Sequence, residues 1–288
     1  MGLFTEIPFF MNNYNVEIGI VETRKIISAI LEHYNLDYKN YALTFLKHRF
    51  EKIINDYNFK SADNLIEKIV NEPEFFEQFQ KDLSVEDTEM FRDPSLWRLL
   101  RDNFFPKLIQ ENNKVKIWMV SMQSGEELYS MAILLNESNL WDKVEITATY
   151  DCSKNYELIL NGIFDTKKIE LNDANYKRFN CYSELSRYYK VDNINNIGYW
   201  DTSLIKNIKF IKHYITFENS LKNFNLVWFR NGMIYFNQVL QDKVFGTLYE
   251  SLLPNGYMII GDKETVEYSS YNKKFKQIEL TEKIYKKL

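Results

Sequence analysis

Apolar residues recur at helical spacing through about the first 85 positions. Between Arg24 and Tyr34 they fall at Ile26, Ile27, Ile30, Leu31 and Tyr34. Between Tyr41 and Tyr57 they fall at Leu43, Leu46, Phe50, Ile53, Ile54 and Tyr57, while Lys47, His48, Arg49 and Lys52 occupy the other face. Ser61 is placed to cap a helix running through Val70. Pro73 suits the first turn of another, with Phe75, Phe76 and Phe79 turned inward. The pattern breaks after Leu83, and Ser84-Val85-Glu86-Asp87-Thr88-Glu89-Met90-Phe91-Arg92-Asp93-Pro94 reads as a linker into a helix from Ser95.

Beyond the linker, short apolar runs alternate with helical segments. Strands are predicted at Val115–Val120, Val144–Tyr150, Ile208–Ile215, Leu226–Phe229 and Tyr257–Gly261, and helices at Glu126–Leu135, Lys154–Leu160 and Gln238–Leu253. Pro254-Asn255-Gly256 reads as the turn that ends the last helix and starts a strand. Phe275–Leu280 and Lys283–Leu288 are read as two further edge strands. Residues 165–203 have poor periodicity and are read as an irregular connection or a small insertion without a clear strand meander. This alternation predicts a mostly parallel α/β sheet, residues 85–288, preceded by a small all-α domain, residues 15–84. Ligands of such sheets sit beyond the carboxyl ends of the strands, so Gly125, Tyr150 and Arg230 should converge on one pocket. The segment Ser124-Gly125-Glu126-Glu127-Leu128-Tyr129-Ser130 is the most suggestive. A small-residue turn lets backbone approach a ligand, and the helix N-terminus behind it offers free N–H groups. Glu126 and Glu127 are also favoured there by the helix dipole alone.

Composition narrows the chemistry. The 288 residues carry a net charge of −4, which gives no global basic field for nucleic acid. Cys152 and Cys181 form no metal-ligand spacing or disulfide framework, and His33, His48 and His213 are scattered, so no metal site is expected. Met1-Gly2-Leu3-Phe4-Thr5-Glu6 lacks the basic region of a signal peptide, and no apolar run approaches the ~20 residues needed to span a bilayer. A soluble cytoplasmic protein is expected, and nothing in the patterning points beyond a monomer.

Four segments stand in order: Thr88-Glu89-Met90-Phe91-Arg92-Asp93-Pro94; Ile117-Trp118 through Ser124–Ser130; Phe224-Asn225-Leu226-Val227-Trp228-Phe229-Arg230-Asn231-Gly232-Met233-Ile234-Tyr235-Phe236; and Leu252-Leu253-Pro254-Asn255-Gly256-Tyr257 through Gly261. Together they resemble the chemotaxis-receptor methyltransferases, the CheR family, over roughly residues 20 to 265. The resemblance implies a Rossmann-like class I methyltransferase sheet with helices on both faces, S-adenosylmethionine as donor (S-adenosylhomocysteine as product) and a glutamate of a chemoreceptor's helical bundle as acceptor. It implies Arg92 and Tyr235 as the catalytic pair, and Thr88, Arg92, Gly125, Glu126, Glu127, Arg230 and Asn231 as donor-pocket residues. Arg92 would grip a carboxylate and Tyr235 would place its hydroxyl beside the sulfonium or the incoming carboxylate. It also implies receptor docking through Lys47, His48, Arg49 and Lys52. Structural roles stand beside these: Arg92 pairing with a helix end, Tyr235 in the core, the basic face merely solvated.

The chain departs from the family pattern around the cofactor. Tyr150 and Cys152 stand where acidic residues meet the ribose, leaving Asp151, which takes over only if the turn shifts by one residue. Ile215 stands near the place of an adenine-side Asn, and Met122 and Gln123 replace small residues and would crowd the backbone approach. The readings are therefore an S-adenosylmethionine-dependent protein-glutamate methyltransferase, a non-catalytic binding module on the same fold, or a methyltransferase with another acceptor.

Overall fold

The structure, a computed structural model, describes residues 16–84 and 88–288. The N-terminal hexapeptide and Val85-Glu86-Asp87 of the predicted linker lie outside the described residues. The chain divides into two compact units, one ending at Leu83 and the other beginning at Ser84.

The first unit is helical: α1 (Ile20–Tyr34), α2 (Leu43–Asp56), α3 (Ala62–Asn71) and α4 (Pro73–Leu83). The predicted stripes form its core, with Ile26, Ile30, Leu46, Phe50, Ile54, Leu65 and Phe79 fully buried. Helix α1 starts earlier than the apolar period suggests, because the Glu22 carboxylate reaches back to the Gly19 N–H at 2.9 Å and caps the turn. Ser61 caps α3 through the Asn64 N–H.

The second unit opens with α5 (Pro94–Leu99), a π-helical turn over Leu100–Phe104 and α6 (Phe105–Glu111). Then follow β1 (Val115–Met119), α7 (Glu126–Glu137), β2 (Val144–Tyr150), α8 (Ser153–Leu160), β3 (Ile163–Asp165), α9 (Ile169–Phe179), β4 (Tyr189–Asp192), β5 (Ile197–Trp200), β6 (Lys209–Lys212), β7 (Phe224–Trp228), α10 (Gln238–Ser251), β8 (Leu252–Ile259), β9 (Phe275–Glu279) and β10 (Ile284–Lys287). The main sheet has the order β6-β2-β1-β7-β8-β10-β9. Its first five strands are parallel, and β10 runs antiparallel to both neighbours. Ile117, Trp118 and Met119 alternate faces and are all fully buried, so both faces of the sheet are covered.

Three sequence expectations are corrected. Residues 165–203 are not irregular: β3, β5 and β4 form a small antiparallel sheet, with α9 between β3 and β4. Strands of three or four residues carry too short a period to be read from the chain. The two tail strands are not both edges, since β10 inserts between β8 and β9. Finally, β8 starts at Leu252 and passes through Pro254-Asn255-Gly256, where Asn255 takes φ 60° and the pairing with β7 shifts register. Asn tolerates this left-handed conformation, so the expected turn becomes a kink within the strand.

Candidate active site

The carboxyl ends of β1, β2 and β7 carry the predicted site. After β1 the chain turns at once: the Val120 N–H bonds Trp228 O at 2.9 Å and the Met122 N–H bonds Thr149 O at 2.7 Å. Ser121 between them sits at φ 51°. This turn buries the Met122 side chain in the hydrophobic core. Gly125 then starts α7 at φ 88°, and a Cβ there would stand 3.1 Å from Ile159 Cγ1. Both conditions call for glycine.

Glu126 and Glu127 are buried in the first turn of α7. Glu127 bonds through both oxygens: Trp228 Nε1 donates to Oε2 at 2.8 Å and Arg230 Nη1 to Oε1 at 2.8 Å. The other arm of the Arg230 fork, Nη2, donates to Asp93 Oδ2. Burial works against the Arg230 charge, but Glu127 and Asp93 outweigh it and hold the pKa above the ordinary value. Three of the four sequence segments thus meet in one ion network around the buried Arg230 guanidinium. Asp93 was not singled out from sequence, although it lies in a quoted motif, and Trp228 was passed over as strand core.

The segment carrying Thr88 and Arg92 is held from two sides. The Phe91 N–H donates to Ser130 Oγ of α7 at 2.8 Å, and the Met90 N–H to Asn172 Oδ1 of α9 at 3.0 Å. Asn175 Nδ2 donates to Met90 O, and Lys168 Nζ to Thr88 O. Phe91, at φ 51°, buries its ring against Phe179 at a 4.6 Å centroid distance, and Asp93 sits at φ 58°. Two left-handed non-glycine residues around Arg92 hold backbone strain that these contacts sustain. Arg92 is partly exposed, with Nε 3.8 Å from Glu89 Oε2. Tyr235 is half-buried at the end of a 3-10 turn, Met233–Tyr235, that follows Asn231. Asn231 takes φ 60°.

The Tyr150 ring stacks on Tyr156 of α8, with centroids 4.1 Å apart and planes 3° from parallel. Asp151 instead accepts from Gln123 Nε2 at 3.2 Å on both oxygens, which turns its carboxylate toward the loop after β1. Asn155 Nδ2 donates to Gln123 Oε1 at 3.1 Å and holds that amide in place. Burial pushes the Asp151 pKa up, against the bonds from Gln123 and the Asp151 and Cys152 N–H groups. Cys152 and Ile215 are both buried. Of the residues expected to converge, Arg230 joins the α7 turn that follows Gly125 through Glu127, while the Tyr150 ring packs on Tyr156.

Several buried polar atoms on these segments have no hydrogen-bond partner among the described residues: Thr88 Oγ1, Ser121 Oγ, Ser124 Oγ, Asn155 Oδ1 and Arg230 Nε. Buried polar groups are normally paired. Hydroxyls, an amide oxygen and a guanidinium nitrogen left open on these segments suit a ligand with an amino-acid end and ribose hydroxyls. On the first unit, Lys47 Nζ lies 2.9 Å from Glu51 Oε1, His48 Nδ1 3.4 Å from Glu51 Oε2, Lys52 pairs with Asp56, and Arg49 donates to Asp82 O. The expected basic face is therefore a mixed-charge one. Among the described residues there is no cluster of His, Cys, Asp and Glu able to hold a metal ion, and no helix long and apolar enough to cross a membrane.

A sheet parallel through its first five strands, with a left-handed glycine opening α7 at its carboxyl end, is the arrangement of a Rossmann-like cofactor-binding domain. Residues 86–284 match the family model for the CheR methyltransferase SAM-binding domain, and the chain belongs to that family, with S-adenosylmethionine as its cofactor. The chain is 31% identical to a Pseudomonas putida protein named Cher3 over 267 residues, covering 93% of this chain and 97% of that one. It is 23% identical over 280 residues to a chemotaxis protein methyltransferase of Borreliella burgdorferi, covering 88% and 92%. Among solved structures, the N-methyltransferase NodS of Bradyrhizobium japonicum with S-adenosyl-L-homocysteine aligns with a TM-score of 0.34 at 10% identity, over 60% of this chain and 63% of that one. That alignment is too loose to add to the fold description.

Proposed function

We propose that this protein transfers a methyl group to the side-chain carboxylate of a glutamate on the cytoplasmic helical bundle of a chemoreceptor. The observation that carries the reading is the Glu127–Arg230–Asp93 network around the buried Arg230 guanidinium, which joins three motifs of the family at one strand end. S-adenosylmethionine supplies an electrophilic methyl on a sulfonium. In the transfer, an acceptor carboxylate oxygen forms the bond to that carbon as the carbon–sulfur bond breaks and its electron pair stays on sulfur. No proton need move, so the protein's work is placement and charge control.

The residues divide accordingly. Arg230 and Glu127 meet the carboxylate and amino group of the donor's amino-acid end, with Glu126 and Asn231 alongside. Asp151, set by Gln123, meets the ribose, and Thr88 and Gly125 line the pocket. Arg92, beside Asp93, grips the acceptor carboxylate with its planar fork. Tyr235 aims its hydroxyl at the reacting centre. Lys47, His48, Arg49 and Lys52 dock the receptor, and the protein works in the cytoplasm as a monomer. A non-catalytic module is not favoured, because the chain matches the family model of the SAM-binding domain and the Tyr150 ring packs on Tyr156.

The test is labelled S-adenosylmethionine with the receptor of the same cell. A glutamyl ester releases its label as volatile methanol under mild base, whereas an N-methyl product keeps it. Base-stable label, or no calorimetric binding of either the donor or S-adenosylhomocysteine, sinks the proposal.

A further inference from the structure

Glu264 lies three residues past Gly261, just beyond β8, and is buried. Its Oε2 accepts from the Gly261 N–H at 2.7 Å and the Asn231 N–H at 3.0 Å, and its Oε1 from the Met233 N–H at 2.7 Å. The Glu264 N–H in turn donates to Gly261 O at 3.0 Å and closes the turn. One carboxylate therefore ties the end of β8 to the loop that begins at Arg230 and ends at Tyr235.

That loop needs holding. Asn231 takes φ 60°, a left-handed conformation that Asn adopts more readily than other non-glycine residues and that persists where its surroundings fix it. The packing is also close: a Cβ on Gly261 would stand 2.4 Å from Asn231 Oδ1 and 2.9 Å from Asn231 N. Burial raises the Glu264 pKa, while the three backbone N–H groups and the Arg230 charge oppose that rise. A buried carboxylate spent on backbone N–H groups is a costly way to gain stability alone. What it secures is a fixed loop conformation.

We propose that Glu264 is a positioning residue of the methyl-transfer site: by clamping the Asn231 and Met233 N–H groups it sets where Arg230, Asn231 and Tyr235 stand. This rests on the donor-pocket reading above. The test uses full-length protein bearing Glu264→Gln or Glu264→Ala, with Glu137→Gln as a control. Glu137 accepts from Tyr176 and Tyr188 hydroxyls and Asn180 Nδ2 at the C-terminal end of α7, and its bonds reach neither Glu264 nor residues 230–235. Hydrogen exchange without cofactor reads the clamp itself. S-adenosylhomocysteine affinity and the split between kcat and KM read its consequence.

In Glu264→Ala, amides of residues 231–235 are expected to exchange at least about tenfold faster, with the loop after β1 unchanged, and S-adenosylhomocysteine to bind about tenfold or more weakly. Glu264→Gln should fall between, because its carbonyl still accepts while its NH2 opposes a backbone N–H. Glu137→Gln should lower the melting temperature without moving either readout. If Glu264→Ala does not fold, Gly261→Ala carries the test, since it displaces Asn231 with the carboxylate kept. Unchanged exchange at 231–235 overturns the clamp alone. Wild-type protein that takes no S-adenosylhomocysteine overturns the pocket reading instead.

Discussion

Arg230 Nη1 stands 2.8 Å from Glu127 Oε1, and both side chains are nearly closed to solvent, at 2% and 9% exposure. The second carboxylate on Arg230, Asp93, is 37% exposed. Removing a buried partner leaves an uncompensated charge, which costs about 3–5 kcal/mol, whereas exposed pairs contribute far less. Glu127→Ala is therefore expected to lower the unfolding free energy by about 3 kcal/mol or more. Asp93→Asn should cost clearly less. Denaturant titration of both variants decides it, and a larger loss for Asp93→Asn would contradict the assignment of Glu127 as the main counter-charge.

Arg92 is partly exposed and its pair with Glu89 is long, at 3.8 Å, so truncating it disturbs the fold less than removing a buried charge would. Arg92→Ala is expected to lower kcat/KM for methyl transfer by about 10²-fold or more, with S-adenosylhomocysteine affinity changed far less. Arg92→Lys should restore little, because a point charge does not reproduce the bidentate fork. Tyr235→Phe should show the same split. Parallel loss of activity and cofactor affinity in Arg92→Ala would assign it to the donor pocket alone.

Asp151 sets a pH dependence. Burial raises its pKa, so it takes up a proton at higher pH than an ordinary aspartate. Cofactor affinity should decline as pH falls through that raised value, and Asp151→Asn should remove this acid limb while weakening binding at neutral pH. The stability effect has the opposite sense: a raised folded-state pKa contributes stability below the unfolded value that is lost as pH rises through the folded one. At neutral pH, Asp151→Asn should therefore melt no lower than wild type, since an Asn carbonyl still accepts from Gln123. Calorimetric titrations across pH, with melting curves, check both halves.

Gly125→Ala tests the loop after β1. The new methyl would meet Ile159 Cγ1 at 3.1 Å on a backbone held at φ 88°. A loss of about 1–2 kcal/mol is expected from the left-handed conformation alone. Trimming Ile159→Val should recover only the crowding part. A neutral Gly125→Ala would mean that the turn relaxes without cost.

The chain's local pattern contained most of the framework. Stripes such as Leu46-Phe50-Ile54 and runs such as Val115–Met119 set their elements because period and burial agree within one segment. The motif around Gly125 and the Arg230-Asn231 strand end were legible for the same reason. The small sheet of β3, β5 and β4 was not, since its strands gain their meaning only from pairing with one another. Glu264 gave no signal, because a buried carboxylate that binds backbone N–H groups carries no side-chain motif.

The sequence by itself determined the alternation of strands and helices, the glycine that opens α7 and the acidic and basic residues at the strand ends, because these depend on steric and periodic preferences of adjacent residues. Tertiary structure alone decided that Tyr150 stacks on Tyr156 while Asp151 turns to Gln123, that Met122 is buried in the core, and that Asp93 joins Glu127 on Arg230. Each of those outcomes pairs residues distant along the chain, and side-chain direction at the end of a strand is set by whichever partner the fold brings within reach.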